Sequence, residues 1–180
     1  MEKGVKNLLK YFLPNEYVKS IIHIDADELQ KRGIKAVITD LDNTLVAWNR
    51  SEASPELLGW FQRLKEKGIL VTVISNNHLQ RVKSFVEPLG VPFVCSAKKP
   101  MSKGFKRALK TMGVKPDETV VIGDQLLTDV FGGNRLGFYT ILVVPLSSTD
   151  GFVTRFNRKM ERMLLSKMRR KGMIYWEDEQ

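Results

Sequence analysis

Between residues 34 and 144 the chain repeats one pattern: a short apolar run, a polar loop, an amphipathic stretch and a glycine. Residues 34–39, 69–74, 91–95, 119–122 and 138–144 are the apolar runs, rich in Val, Ile and Leu, and each is a predicted strand. Ser54 and Pro55 form a helix start, a hydroxyl cap followed by proline in the first turn. Leu57, Leu58, Phe61 and Leu64 then fall at helical spacing. Residues 78–89, 103–112 and 126–136 give three more helices, and Gly68, Gly90, Gly113 and Gly137 supply the stops. Strands that read as continuous apolar runs and alternate with helices imply a parallel sheet buried on both faces. The expected fold is therefore a doubly wound, three-layer α/β domain over residues 34–145. Residues 1–33 form an amphipathic helical flank, and residues 146–180 a basic helical tail.

A ligand on such a sheet sits at the carboxyl ends of the strands. Asp40, Asp42, Asn43 and Thr44 follow the first run, and Ser75, Asn76 and Asn77 the second. Lys98, Lys99 and Pro100 lie beyond the third, and Gly123 and Asp124 follow the fourth, with Asp129 farther on. Acids, hydroxyls and lysine on one rim suit a phosphate and a metal. Two carboxylates two residues apart can divide the work, one attacking phosphorus and the other moving protons. A phosphate dianion repels a carboxylate, so a divalent cation must offset the charge. Mg2+ takes oxygen ligands, which Asp40, Asp42 and Asp124 supply. Turn formation by Asp42, Asn43 and Thr44, and helix capping by Ser75, are the plainer readings of the same residues.

The motifs Asp40-x-Asp42-x-Thr44, Ser75, a lysine, and Gly123-Asp124 with Thr128-Asp129 occur in order, each at a strand end. Together they resemble the haloacid dehalogenase (HAD) superfamily, over about residues 34–144. The resemblance implies a Rossmann-like fold and Asp40 as the nucleophile that forms an aspartyl-phosphate. It implies Asp42 as the general acid/base, lending its backbone carbonyl to Mg2+. Thr44, in the phosphate-binding group, would position the motif loop, and Ser75 and Asn76 would bind phosphate or substrate. Asp124 would bind the metal directly, and Asp129 would bind it through water or pair with the lysine. That lysine is Lys98 or Lys99, with Lys99 preferred because it precedes Pro100, as in relatives that have a Lys-Pro motif. Neither inter-motif segment has room for a cap domain, which suits a large or macromolecular substrate. A narrower likeness runs through Pro14, Ser20-Ile21, Gly33-Ile34-Lys35, Asp40 to Leu45, Ser75-Asn76-Asn77, Lys99-Pro100 and residues 132–137. It resembles the YqeG-type phosphatases and the organellar phosphatidylglycerophosphate phosphatases, and implies a phospholipid head group as substrate.

The net charge of +9 favours anionic partners. Much of it lies between Phe152 and Gly172, where eight basic residues face only Glu161. Phe152, Phe156, Met160, Met163 and Leu164 recur there at helical spacing, and Val5, Leu8, Leu9 and Phe12 form a similar stripe near the start. The tail therefore docks on its own core, lies on an anionic membrane, or binds RNA. An oligomer stays open. The single cysteine, Cys95, reads as core packing and fits a reducing compartment. Lysines interrupt residues 1–10, so no secretory leader is expected there. A cytoplasmic enzyme, peripheral at the inner membrane surface, is the expectation. Two rivals remain: a non-catalytic RNA- or ribosome-associated protein on the same fold, and a phosphoacceptor signalling domain.

Overall fold

The computed structural model describes residues 8–147 and 152–174, with residues 152–158 described by backbone only. Six parallel strands form one sheet: β1 (Glu16–Val18), β2 (Ala36–Thr39), β3 (Leu70–Ile74), β4 (Phe93–Val94), β5 (Thr119–Gly123) and β6 (Tyr139–Val143). Their order is β1-β6-β5-β2-β3-β4, so β2 lies centrally, between β5 and β3. The helices are α1 (Ala26–Lys31), α2 (Pro55–Glu66), α3 (Leu79–Val86), α4 (Ser102–Met112), α5 (Phe131–Asn134) and α6 (Phe152–Arg170).

Alternation along the strands separates the two faces. Val37, Val71, Val73, Val120, Ile122 and Ile141 pack against Leu57, Trp60 and Leu64 of α2 and Val82 and Phe85 of α3. Ile38, Ile74 and Val121 turn the other way, onto Phe105 and Ala108 of α4. Three layers result, and the described residues include no cap domain. Burying each large aliphatic side chain contributes roughly 1.5–3 kcal/mol. Trp60 also donates its indole N–H to the Ile24 carbonyl at 3.0 Å, which ties α2 to the amino-terminal flank. Ser54 caps α2 as its sequence suggests, accepting from the Leu57 amide. Cys95 packs partly buried at the edge of the core.

The flank departs from a purely helical reading. Leu8–Phe12 and α1 are helical, but β1 pairs with β6 in register Glu16 to Ile141 and Val18 to Val143. Three residues are too few to show a period. The strand is held by tertiary bonds instead: the Asn15 amide donates to the Thr140 carbonyl, and the Asn15 side chain accepts from the Thr140 amide. The stretch at 91–95 forms only the two-residue β4, because Ser96 and Lys98 take left-handed backbone conformations that turn the chain toward the rim.

The tail docks on the fold, and of the expected stripe residues with described side chains only Leu164 takes part. Met168, Ile174, Leu164 and Leu165 pack with Leu9, Leu126, Val130 and Leu142. The expected stripe residues Met160 and Met163 are instead exposed, and Glu161 turns inward to accept from the Leu127 amide at 3.2 Å. Val5 and the Phe152 and Phe156 side chains lie outside the described residues. Among those described, no helix is long and apolar enough to cross a membrane.

Candidate active site

The carboxyl ends of β2, β3 and β5, and the turn after β4, converge on one buried cluster. Lys99 donates from Nζ to Asp40 Oδ1 and to Asp129 Oδ1, each at 2.6 Å, and all three side chains are almost fully buried. Lys98, one residue earlier, faces solvent. Asp40 follows directly from β2, and its amide still donates to the Ile122 carbonyl of β5. Asp129 comes from a π-helical turn, Leu126–Val130, that leads into α5. That turn presses on Gly123, where a Cβ would lie 2.2 Å from Asp129 Cγ; only glycine permits the approach.

Carboxylate oxygens of Asp40, Asp124 and Asp129 lie within 4.8 Å of one another. Burial pushes the Asp40 carboxyl well above the usual carboxylate range; Lys99 opposes this, while Asp129 and Asp124 add to it. Burial alone would lower the Lys99 ammonium, but the charges of Asp129 and Asp40 and their hydrogen bonds hold it above its ordinary value. Three carboxylates against one ammonium leave an excess of buried negative charge, and burying such charge without a counter-ion is costly. A hard divalent cation fits this all-oxygen set.

The other expected residues divide by task. Thr44 donates its hydroxyl to Asp124 Oδ1 at 3.3 Å, joining the first motif to the acidic cluster. Ser75 Oγ accepts from the Asn77 amide at 3.0 Å, which leaves the hydroxyl hydrogen available to a phosphate oxygen. Asn76, expected to bind phosphate or substrate, spends its amide on Lys99: Nδ2 donates to the Lys99 carbonyl and Oδ1 accepts from the Lys99 amide at 2.6 Å. Its side-chain amide thus holds the lysine backbone, which the left-handed turn at Lys98 brings alongside. Asp42, expected among the metal ligands, keeps its carboxylate out of the acidic cluster; Arg81 and Asn77 bond it instead. The metal-ligand role that the resemblance implies for its backbone carbonyl does not depend on this carboxylate. Arg81 was not legible as a site residue, since nothing in the sequence of α3 marks its one arginine as different from a solvated surface charge.

Comparison with known proteins gives the class. The model of the haloacid dehalogenase-like hydrolases matches residues 4–137, most of the chain. The chain belongs to this hydrolase family, and it is an enzyme of the phosphatase type. It is 58% identical over 171 residues to the "Probable phosphatase YqeG" of Bacillus subtilis, covering 95% of this chain and 99% of that one. It is 30% identical over 174 residues to phosphatidylglycerophosphate phosphatase 1 of Arabidopsis thaliana, covering 91% of this chain but spanning only 50% of that protein. Among solved structures, the cobalt-bound deoxy-D-mannose-octulosonate 8-phosphate phosphatase of Haemophilus influenzae shares the fold. Its TM-score is 0.52 at 19% identity, covering 75% of this chain and 89% of that one.

Proposed function

We propose that the chain hydrolyses a phosphate monoester through an aspartyl-phosphate on Asp40, with Mg2+ as cofactor and phosphatidylglycerophosphate as substrate. The observation that carries the chemistry is the buried Lys99–Asp40–Asp129 cluster with Asp124 beside it. Lys99 occupies Oδ1 of Asp40, so Oδ2 is the oxygen that adds to phosphorus. As that bond forms, the ester P–O bond breaks and Asp42 gives a proton to the departing alcohol oxygen. Asp42 then takes a proton from water; the water oxygen bonds phosphorus, and the Asp40–phosphorus link breaks to release inorganic phosphate. The Ser75 hydroxyl and the Lys99 ammonium hold the equatorial oxygens, where transition-state charge accumulates. Asp40, Asp124 and the Asp42 carbonyl would hold Mg2+, with Asp129 beside them; when bound, it supplies positive charge to the phosphoryl oxygens. A pure binding module needs neither nucleophile nor acid/base, which disfavours the RNA- or ribosome-associated reading.

The lipid reading draws on the name of the Arabidopsis relative and on the exposed side of α6. Leu8, Phe12, Met160 and Met163 there line a groove of about 890 Å3 edged by Lys159, Arg162, Lys167 and Arg170. Apolar side chains ringed by cations suit the head groups and upper acyl region of an anionic bilayer. The groove also reaches Leu127, in the same turn as Asp129. A cytoplasmic enzyme bound peripherally to a membrane would follow.

The test is turnover with Mg2+ on vesicle-borne phosphatidylglycerophosphate and on a soluble aryl phosphate, for wild type and for Met160→Gln/Met163→Gln. The reading predicts that both substrates turn over in wild type, and that the variant loses vesicle binding and lipid turnover while keeping aryl turnover. Aryl turnover with no lipid turnover in wild type overturns the lipid substrate. Unchanged vesicle binding in the variant overturns the membrane contact.

A further inference from the structure

Asp42 is the one acid of the catalytic rim that lies outside the cluster of Asp40, Asp124 and Asp129. Arg81, in the first turn of α3, bonds it instead: Nε lies 3.0 Å and Nη2 2.9 Å from Asp42 Oδ1. The second carboxylate oxygen, Oδ2, accepts from Asn77 Nδ2 at 3.3 Å. Both oxygens are therefore held by the segment that follows β3.

The guanidinium is itself fixed from behind. Nη1 donates to the Arg50 carbonyl at 2.6 Å, and Nη2 to the Ala47 carbonyl at 3.4 Å. Two backbone carbonyls of the loop after the first motif thus set the plane of the fork, and the same fork sets Asp42. A lysine offers a point charge and cannot reproduce both sides of that arrangement. Both side chains are largely but not fully buried, at 13% and 21% exposure, so the carboxylate keeps some access from solvent.

We propose that Arg81 is a positioning residue for proton transfer: it keeps the Asp42 carboxylate out of the acidic cluster and aimed at the leaving-group oxygen. Without it, only the longer Asn77 bond holds Asp42, and the carboxylate can rotate toward solvent or toward a bound cation. Arg81 touches neither substrate nor phosphorus and acts through Asp42 alone. The inference rests on the assignment of Asp42 as acid/base under the proposed function.

The experiment measures alcohol release, in a single turnover and at steady state, with Mg2+, from p-nitrophenyl phosphate and from an alkyl phosphate. The alkyl alcohol cannot leave without a proton, whereas the nitrophenolate largely can. The proteins are wild type, Arg81→Gln, Arg81→Lys, Asp42→Asn and the Asp42→Asn/Arg81→Gln pair. Arg81→Gln should slow alkyl release at least about ten-fold, a share of what general acid catalysis supplies, with a clearly smaller effect on the aryl ester and KM little changed. Arg81→Lys should recover part of the loss. In the Asp42→Asn background, Arg81→Gln should cost nothing further, because its partner is already gone. A further loss of equal size in that background overturns the proposal, as does an equal loss on both esters with a lowered Tm. If Arg81→Gln fails to fold, the same cycle run with Arg81→Lys decides in the same way. Asp42→Asn at wild-type speed on the alkyl ester overturns the acid/base assignment instead, and this inference with it.

Discussion

Lys99 and Asp40 meet at 2.6 Å although they leave the sheet from β4 and β2, with β3 between them. The reach is possible because β4 stops after two residues and the chain turns at Ser96 and Lys98, both in left-handed conformations. Asn76, at the end of the intervening strand, then clamps the Lys99 backbone from both sides. One ammonium is thereby delivered between two carboxylates that are 89 residues apart in the chain.

Lys99→Ala leaves three close carboxylates with no ammonium. Breaking a buried pair by removing one partner costs about 3–5 kcal/mol, so the variant should melt well below wild type and lose turnover. Lys98→Ala removes an exposed side chain and should change stability by less than about 0.5 kcal/mol, with activity retained. Thermal melts and aryl phosphate turnover of the two variants, side by side, check this.

The strand ends carried most of the site in the sequence. Asp40, Ser75 and Asp124 each follow a buried apolar run, and the runs themselves were plain because a parallel strand covered on both faces shows little polar interruption. What stayed hidden depends on contacts between distant segments. β1 is three residues long and exists through Asn15 and β6, not through its own pattern. The task of Asn76 is set by the turn at Lys98, and that of Arg81 by a loop 31 residues away. The tail's apolar stripe was visible, but not which of its residues dock: Leu164 packs inward with Leu165, Met168 and Ile174, and the more conspicuous Met163 points out.

Asp40 gives a pH dependence with a defined sign. Its folded-state pKa is raised, so its contribution to stability is full below the ordinary value of 3.8 and is lost as pH rises through the folded value. Cation-free protein should accordingly lose this contribution as pH rises above the ordinary value. Added Mg2+ should restore stability, by about 2.7 kcal/mol at a hundredfold excess over Kd, and Asp124→Asn should sharply reduce that gain. Calorimetry of wild type and Asp124→Asn across pH, with EDTA or Mg2+, measures both effects. A Tm indifferent to Mg2+ in wild type would count against the metal site.

At the sheet edge, Tyr139 donates to Glu16 at 2.6 Å and accepts from Arg32 at 2.9 Å, joining β6, β1 and the end of α1. Partial burial and the Glu16 carboxylate push its phenol up to about 12. A raised value means that the stability it provides is fully present below the ordinary 10.0 and disappears as pH rises through about 12. Tyr139→Phe should be modestly less stable at neutral pH and should lack this part of the alkaline loss. Parallel base titrations followed by circular dichroism show whether the two curves converge as expected.

The central claim is that phosphorus passes through Asp40. Full-length Asp42→Asn, in which the water attack is slowed, is mixed with Mg2+ and an aryl phosphate, quenched in acid, digested and read by mass spectrometry. The account predicts a phosphoryl adduct that is removed by hydroxylamine, mapped to Asp40, and absent from Asp40→Asn. A turnover-competent enzyme with no such adduct, or an adduct on any other side chain, would contradict it.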